Sequence, residues 1–260
     1  MKRLHLIEIH DQDWCPRTVR DGETDYLQFV IAKMKSYAAM VPILTSALQR
    51  TGTLQVLDLC SGAAGPWLWL QPVLAGRHVN VSVCLTDKYP NVEALRQSNR
   101  PQSIRYHPQP VDATRVPEEL TGFRTIFSAF HHFRPEQACA VLADAVRQRQ
   151  GIAVFEGTQR SVPALLLMLL VPLMVLLMTP FLRPFRWSRL LWTYLIPLMP
   201  LIVLFDGLVS CLRTYSVAEL CDLTARLDAN DYHWEIGAVK STSGPIPITY
   251  LIGVPNEEAA

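Results

Sequence analysis

Several residues in this 260-residue chain have types and spacings suited to chemistry. Asp58-Leu59-Cys60-Ser61-Gly62-Ala63-Ala64-Gly65-Pro66 follows the apolar run Gln55-Val56-Leu57. An acid at a strand end, followed at once by small residues, makes a turn where a ligand can approach the backbone. A helix starting near Pro66 would aim its unpaired N–H groups at that ligand. The pattern suits a nucleotide-like cofactor at the carboxyl end of a parallel sheet. Two further acids close later apolar segments: Asp87, followed by Lys88, and Asp112, followed by Ala113. The segment Phe130-His131-His132-Phe133 adds two imidazoles, the usual base for taking a proton from an attacking hydroxyl or amine. Adjacent side chains on an extended backbone point to opposite faces, so at most one of the pair is expected to act in a pocket. No metal site is expected, because no carboxylate or Cys stands at a suitable spacing beside them.

The elements that must position these residues alternate. Residues 23–50 have helical apolar spacing that Pro42 should bend or split. Strands are expected at Thr53–Leu59, Val79–Thr86, Ile104–Val111, Thr125–Ala129 and Ile152–Phe155, the last closed by Glu156. Helices are expected at Pro66–Leu74, Val92–Asn99 and Glu136–Gln148, and at Ser216–Leu227 with Ser216 as its cap. His233–Lys240 and Ile246–Val254 read as a terminal hairpin. Strand-helix alternation of this kind predicts an α/β fold with helices on both faces of a parallel sheet.

The turn, the acids after the first three strands and the terminal hairpin resemble the class I S-adenosylmethionine-dependent methyltransferases, over roughly residues 25–160 and 206–254. The resemblance implies a Rossmann-like, doubly wound, mostly parallel seven-stranded sheet whose last strand is antiparallel. It implies S-adenosylmethionine as cofactor, with Asp58, Cys60, Ser61, Gly62, Ala63 and Gly65 around its methionine part. Asp87, with Lys88, would take the ribose, Asp112 and Ala113 the adenine, and Phe130, His131 and His132 the methyl-transfer region. Cys60 and Ala64 stand where the family commonly has glycines, and the turn tolerates them if φ stays negative there. Trp14 and Tyr26, in the polar-aromatic lead-in, and Glu156, after the fifth strand, are candidate substrate residues. The alternatives are a solvated lead-in and an ordinary loop carboxylate. A nicotinamide oxidoreductase would share the strand, turn and acid, but more often shows the full G-x-G-x-x-G, which is absent. A fold that has lost turnover and serves as a membrane scaffold is the other alternative.

Half of the residues are hydrophobic and only 18% charged, with a formal net charge of +1, which leaves no reason to expect a nucleic-acid partner. The apolar excess is concentrated. Val162–Leu182 carries no charged residue, and Leu190–Phe205 is a second uncharged run beyond Arg183, Arg186 and Arg189. Trp187, Trp192 and Tyr194 lie near the interruption, as aromatic residues do at a membrane interface. The many prolines favour kinked helices, so a membrane-embedded or re-entrant hairpin over residues 162–205 is expected, its arginines resting among lipid phosphates. A full two-pass hairpin and a soluble cap over a greasy substrate are the alternatives. The domain plan is therefore a helical lid segment at 1–50, a cofactor-binding core at 51–161, an apolar insertion at 162–209, and a helix and hairpin completing the core at 210–260. Scattered cysteines and polar first residues point to reduced thiols, no signal peptide, and the cytoplasmic face of a membrane. The expected reaction is methyl transfer to a small, hydrophobic or lipid-like acceptor.

Overall fold

The computed structural model describes residues 1–12, 14–90, 101–183 and 185–256; the helix expected at Val92–Asn99 lies outside them. Seven strands form one sheet: β1 (Gln55–Asp58), β2 (Ser82–Leu85), β3 (Ile104–Tyr106), β4 (Phe123–Phe127), β5 (Ile152–Glu156), β6 (Tyr232–Val239) and β7 (Ile248–Pro255). Their order is β3-β2-β1-β4-β5-β7-β6. The first five are parallel, and β7 runs antiparallel to both β5 and β6. The order reverses at β1, whose neighbours are β2 and β4, and such a switch point opens a crevice at the carboxyl ends of the strands. Asp58 pairs in register with Leu85 on one side and Thr125 on the other, so the turns after β1, β2 and β4 leave the same edge.

Helices cover both faces because the strands alternate their side chains. Val56, Val83 and Phe123 pack with Leu44 and Leu48 of α2 (Val41–Thr51) and with Trp67, Leu70 and Leu74 of α3 (Trp67–Ala75). Leu57, Ile126 and Val154 pack on the other side with Val141, Leu142 and Ala145 of α4 (Pro135–Arg147). The strands β4 and β5 are buried throughout, which is why they read as short apolar runs. Arg124 is admitted to β4 because Asp144 of α4 meets its guanidinium at 2.8 Å.

The helical run expected at 23–50 is split as foreseen, though not at Pro42. The first helix, α1 (Arg17–Met34), ends at Lys35 with φ +47°, and Pro42 sits in the first turn of α2. The apolar stretch forms α5 (Val162–Met168), α6 (Val171–Met178), α7 (Trp187–Leu190) and α8 (Leu198–Arg213). Met199, Ile202 and Val203 of α8 bury against Val19 and Tyr26 of α1, Val175 of α6 and Leu182, so residues near the N-terminus and the insertion share a core. Arg189, expected among lipid phosphates, turns inward instead and donates to Asp25 of α1 at 2.5 Å. A buried guanidinium needs that carboxylate more than it needs water. The last helix, α9 (Val217–Thr224), has the expected cap: Glu219 N–H donates to Ser216 Oγ at 3.3 Å and Ser216 N–H to Glu219 Oε2 at 2.8 Å.

Candidate functional site

The turn between β1 and α3 has positive φ at Cys60 (+56°), Gly62 (+51°), Ala64 (+86°) and Gly65 (+49°). Cys60 and Ala64 do not take the negative φ under which the turn was expected to tolerate them. A left-handed conformation costs a non-glycine residue about 1–2 kcal/mol, and it persists only where the surroundings enforce it. Here Ser61 enforces it: its N–H donates to Thr86 O at 2.9 Å, its hydroxyl to Asp58 O at 2.8 Å, and its Oγ accepts from Thr86 N–H at 3.1 Å. Gly62 N–H then donates to Asp87 Oδ2 at 2.9 Å, tying the turn after β1 to the acid after β2. A Cβ at Gly65 would meet no atom within 4 Å among the described residues. The conformation, not crowding, explains that glycine, and the space beside it is open to a ligand.

The acids occupy distinct positions. Asp58 lies buried beneath the turn and accepts from Thr125 Oγ1 at 2.6 Å; burial pushes its carboxyl up to about 7. It braces the crevice from below. Asp87 accepts from Tyr89 N–H at 2.8 Å through its second oxygen, and a carboxylate so held retains lone pairs for hydroxyl donors. Asp112 is half exposed, with Lys88 Nζ 3.9 Å away. Burial raises its pKa, but the hydroxyl and N–H of Thr114, at 2.6 and 2.9 Å, outweigh that and hold it below its usual value. The Cys60 thiol is pushed up by burial and further by Asp87, Asp58, Asp112 and Asp11 around it. Overhead, Thr24 of α1 comes within 3.6 Å of where a Gly62 Cβ would stand. The first helix therefore roofs the turn.

The histidines follow β4 on a 3-10 turn, Phe130–His132, and not on extended backbone. This overturns the expectation that only one can face a given pocket: their rings lie 4.3 Å apart, and both look at the buried Glu8. His131 Nε2 is 3.8 Å from Glu8 Oε1 and His132 Nδ1 is 3.2 Å from Glu8 Oε2. Glu156, at the end of β5, holds His131 twice. It accepts from the backbone N–H at 3.1 Å and meets ring Nδ1 at 2.8 Å. Burial alone would lower the His131 pKa, but the charge and hydrogen bond of Glu156 raise it above its ordinary value. Among the described residues His131 Nε2 has no hydrogen-bond partner.

Other residues gather around this pair that the sequence did not single out. Arg213 of α8 reaches Glu8 Oε1 at 3.0 Å and Asp11 Oδ2 at 2.9 Å. Asp206 accepts the backbone N–H groups of Ile9 and His10 at 2.7 and 3.0 Å. Arg3 donates to the carbonyls of His131 and Phe133 at 3.2 and 2.9 Å. The signal was present: Asp206, Ser210 and Arg213 form a polar stripe four and three residues apart on an otherwise apolar helix. The reason given against a metal also fails, since Glu8 and Asp11 come to His132 from the other end of the chain. Trp14 is exposed and Tyr26 sits in the core between α1 and α8, so neither is brought to the turn or the histidines. Ala113 and Phe130 are core residues of the α4 face. Ala63 is a half-buried member of the turn.

No protein-family model matches the chain, and no curated protein matches its sequence. Solved structures match its fold. The plantazolicin methyltransferase BpumL in complex with SAH is 10% identical with a TM-score of 0.54, over 95% of this chain and 93% of that one. The CMeT domain of the citrinin polyketide synthase is 13% identical with a TM-score of 0.55, over 96% of this chain and 60% of that one. Human N-acetylserotonin methyltransferase in complex with SAM is 14% identical with a TM-score of 0.50, over 90% of this chain and 56% of that one. The chain thus spans less than two thirds of the latter two. It has the Rossmann-like fold of the class I methyltransferases.

Proposed function

We propose that this protein is an S-adenosylmethionine-dependent methyltransferase that works at a membrane surface on a small hydrophobic or lipid-like acceptor. The observation that carries the reading is the bond from Gly62 N–H to Asp87 Oδ2, which joins the small-residue turn to the second-strand acid at the sheet's switch point. The residues fit the cofactor: open space beside Gly65, a fixed carboxylate at Asp87 with acceptor capacity for ribose hydroxyls, and a further half-exposed carboxylate at Asp112. When bound, S-adenosylmethionine supplies an activated methyl group: the acceptor's lone pair bonds to the methyl carbon and the carbon–sulfur bond breaks with its electron pair staying on sulfur. The protein's part is to position, to exclude water and to take up the acceptor's proton. His131 Nε2 is the atom for that proton, with Glu156 fixing the opposite ring nitrogen.

The membrane address rests on residues 162–205. By length and composition, one helical run among the described residues, Val162–Phe181, which takes in α5 and α6, is long and apolar enough to cross a membrane. Leu166, Leu170, Leu173, Leu177 and Phe181 are exposed along it, and Trp187 beyond it is 78% exposed. An apolar face of this extent marks a surface that meets another apolar phase. The proximity of this layer to α1, the roof of the turn, supports an acceptor delivered from lipid.

The test incubates the full chain with methyl-labelled S-adenosylmethionine and membranes. Label should enter an organic-extractable product, and His131→Gln should lower the turnover rate by about 10²–10⁴-fold, the usual contribution of a general base, while leaving cofactor affinity unchanged. Label in no fraction would sink the enzyme reading, and undiminished turnover in His131→Gln would remove His131 from it.

A further inference from the structure

The buried acids and imidazoles where the N-terminal segment crosses the histidine turn form a cluster that methyl transfer does not require. We infer that Glu8, His10, Asp11 and His132 form a binding site for one divalent transition-metal ion of zinc's class. Their candidate ligand atoms lie within 4.8 Å of one another. Individual contacts are shorter: His132 Nδ1 to Glu8 Oε2 is 3.2 Å, and Asp11 reaches His10 Nε2 through Oδ1 at 3.5 Å and His132 Nδ1 through its other oxygen, Oδ2, at 3.1 Å. Four ligands at the usual zinc distances of about 2.0–2.2 Å would sit roughly 3.3–3.6 Å apart at the corners of a tetrahedron, so little movement is needed.

Orphaned polar atoms point to the ion independently of that spacing. Glu8 is fully buried, yet among the described residues its Oε2 has no hydrogen-bond partner; it faces His132 Nδ1 at 3.2 Å and lies 3.8 Å from His10 Nδ1. A buried carboxylate oxygen left in that state costs free energy unless a cation meets it. Arg213 meets Glu8 Oε1 and Asp11 Oδ2 and also lies 3.4 Å from His132 Nδ1 and from His5 Nε2, while Glu8 Oε2 and Asp11 Oδ1 are turned toward the histidines. His10 is oriented as a metal-binding histidine is. Its Nδ1 lies 3.2 Å from Asp206 Oδ2, so a proton held there for Asp206 frees Nε2 as a ligand. Asp206 is itself fixed by the N–H groups of Ile9 and His10. Two imidazoles and two carboxylates favour a borderline ion such as Zn²⁺ or Co²⁺ over Mg²⁺, which prefers oxygen and water. The neighbouring group of His10, Glu23 and Asp206 is the weaker candidate, because it has one imidazole whose Nδ1 already faces Asp206. An ion at Glu8 and His132 would pin the N-terminal segment across the turn that carries His131. The inference does not rest on methyl transfer.

The test is a Co²⁺ titration of the full chain after chelator treatment, followed through the visible absorption of tetrahedral Co²⁺. One equivalent should bind, and Zn²⁺ should displace it and bleach the band. Asp11→Asn and His10→Asn, chosen because both positions are partly exposed and tolerate substitution better than Glu8, should each weaken Co²⁺ binding at least tenfold. The variant His78→Asn, on a distant turn, should bind as the wild type does. A folded wild-type chain that gives no tetrahedral band overturns the proposal without recourse to any variant. A band that survives in both Asp11→Asn and His10→Asn overturns it as well, because the ion then lies elsewhere.

Discussion

Asp58 is a carboxyl group whose place in the fold sets its acidity. Buried under the turn and hydrogen-bonded to Thr125, it is pushed up by burial from 3.8 to about 7. In the unfolded chain the same group loses its proton near pH 4. Between about pH 4 and 7 the folded protein therefore holds a proton that the unfolded chain has released. Stability contributed by this group is present at low pH, falls as pH rises through that window, and levels off above it. Asp58→Asn keeps an acceptor for Thr125 and removes the titration. Denaturant unfolding measured from pH 4 to 7 should show a shallower fall with pH in the variant than in the wild type, and identical slopes would contradict the assignment. At this scale the sequence singled out Asp87, Asp112 and the histidine pair as candidates, because each closes an apolar run. It hid the partners of the pair: Glu8 and Asp11 approach from more than a hundred residues away, and no local spacing records that. It did not reveal the positive φ of Cys60 and Ala64, where Ser61 and Asp87 hold the backbone in a conformation that small side chains only tolerate.

Between elements, the decisive contact is that of α1 with α8 and the chain around Arg189. Within the described residues the expected strands and helices appear because their signals were local, namely apolar runs closed by acids, Pro42 and Pro66 at helix starts, and Ser216 with Glu219 as a cap. Their ends differ by a few residues, since hydrogen-bonded pairing stops before the apolar run does. Hydropathy alone could not place residues 190–213. Read for apolar content they resemble a membrane segment, whereas Asp206, Ser210 and Arg213 turn one stripe of α8 toward Glu8 and His10 and leave its apolar residues to pack on α1. Asp25 of α1 secures the same layer by accepting from Arg189. Removing one partner of a buried ion pair costs about 3–5 kcal/mol. Asp25→Ala should therefore destabilise the protein by several kcal/mol in denaturant unfolding. A change below about 1 kcal/mol, the level of exposed pairs, would contradict the structural weight given to this contact.

For the molecule as a whole, the sheet's switch point supplies a crevice and the inserted helices supply an exposed apolar face. Replacing exposed Leu166, Leu170 and Leu173 together by Ser should sharply reduce sedimentation with phospholipid vesicles while leaving the melting transition in place, since none of the three is a core residue. Undiminished vesicle binding would contradict the proposed membrane address. The central claim is that the crevice at the ends of β1 and β2 binds S-adenosylmethionine through the turn and Asp87. Isothermal titration of the folded chain with that cofactor tests it most directly. One site should be seen, and Asp87→Ala should weaken it tenfold or more, about 1.4 kcal/mol. A folded wild-type protein that takes up no S-adenosylmethionine, or that binds it equally well after Asp87→Ala, would contradict the account.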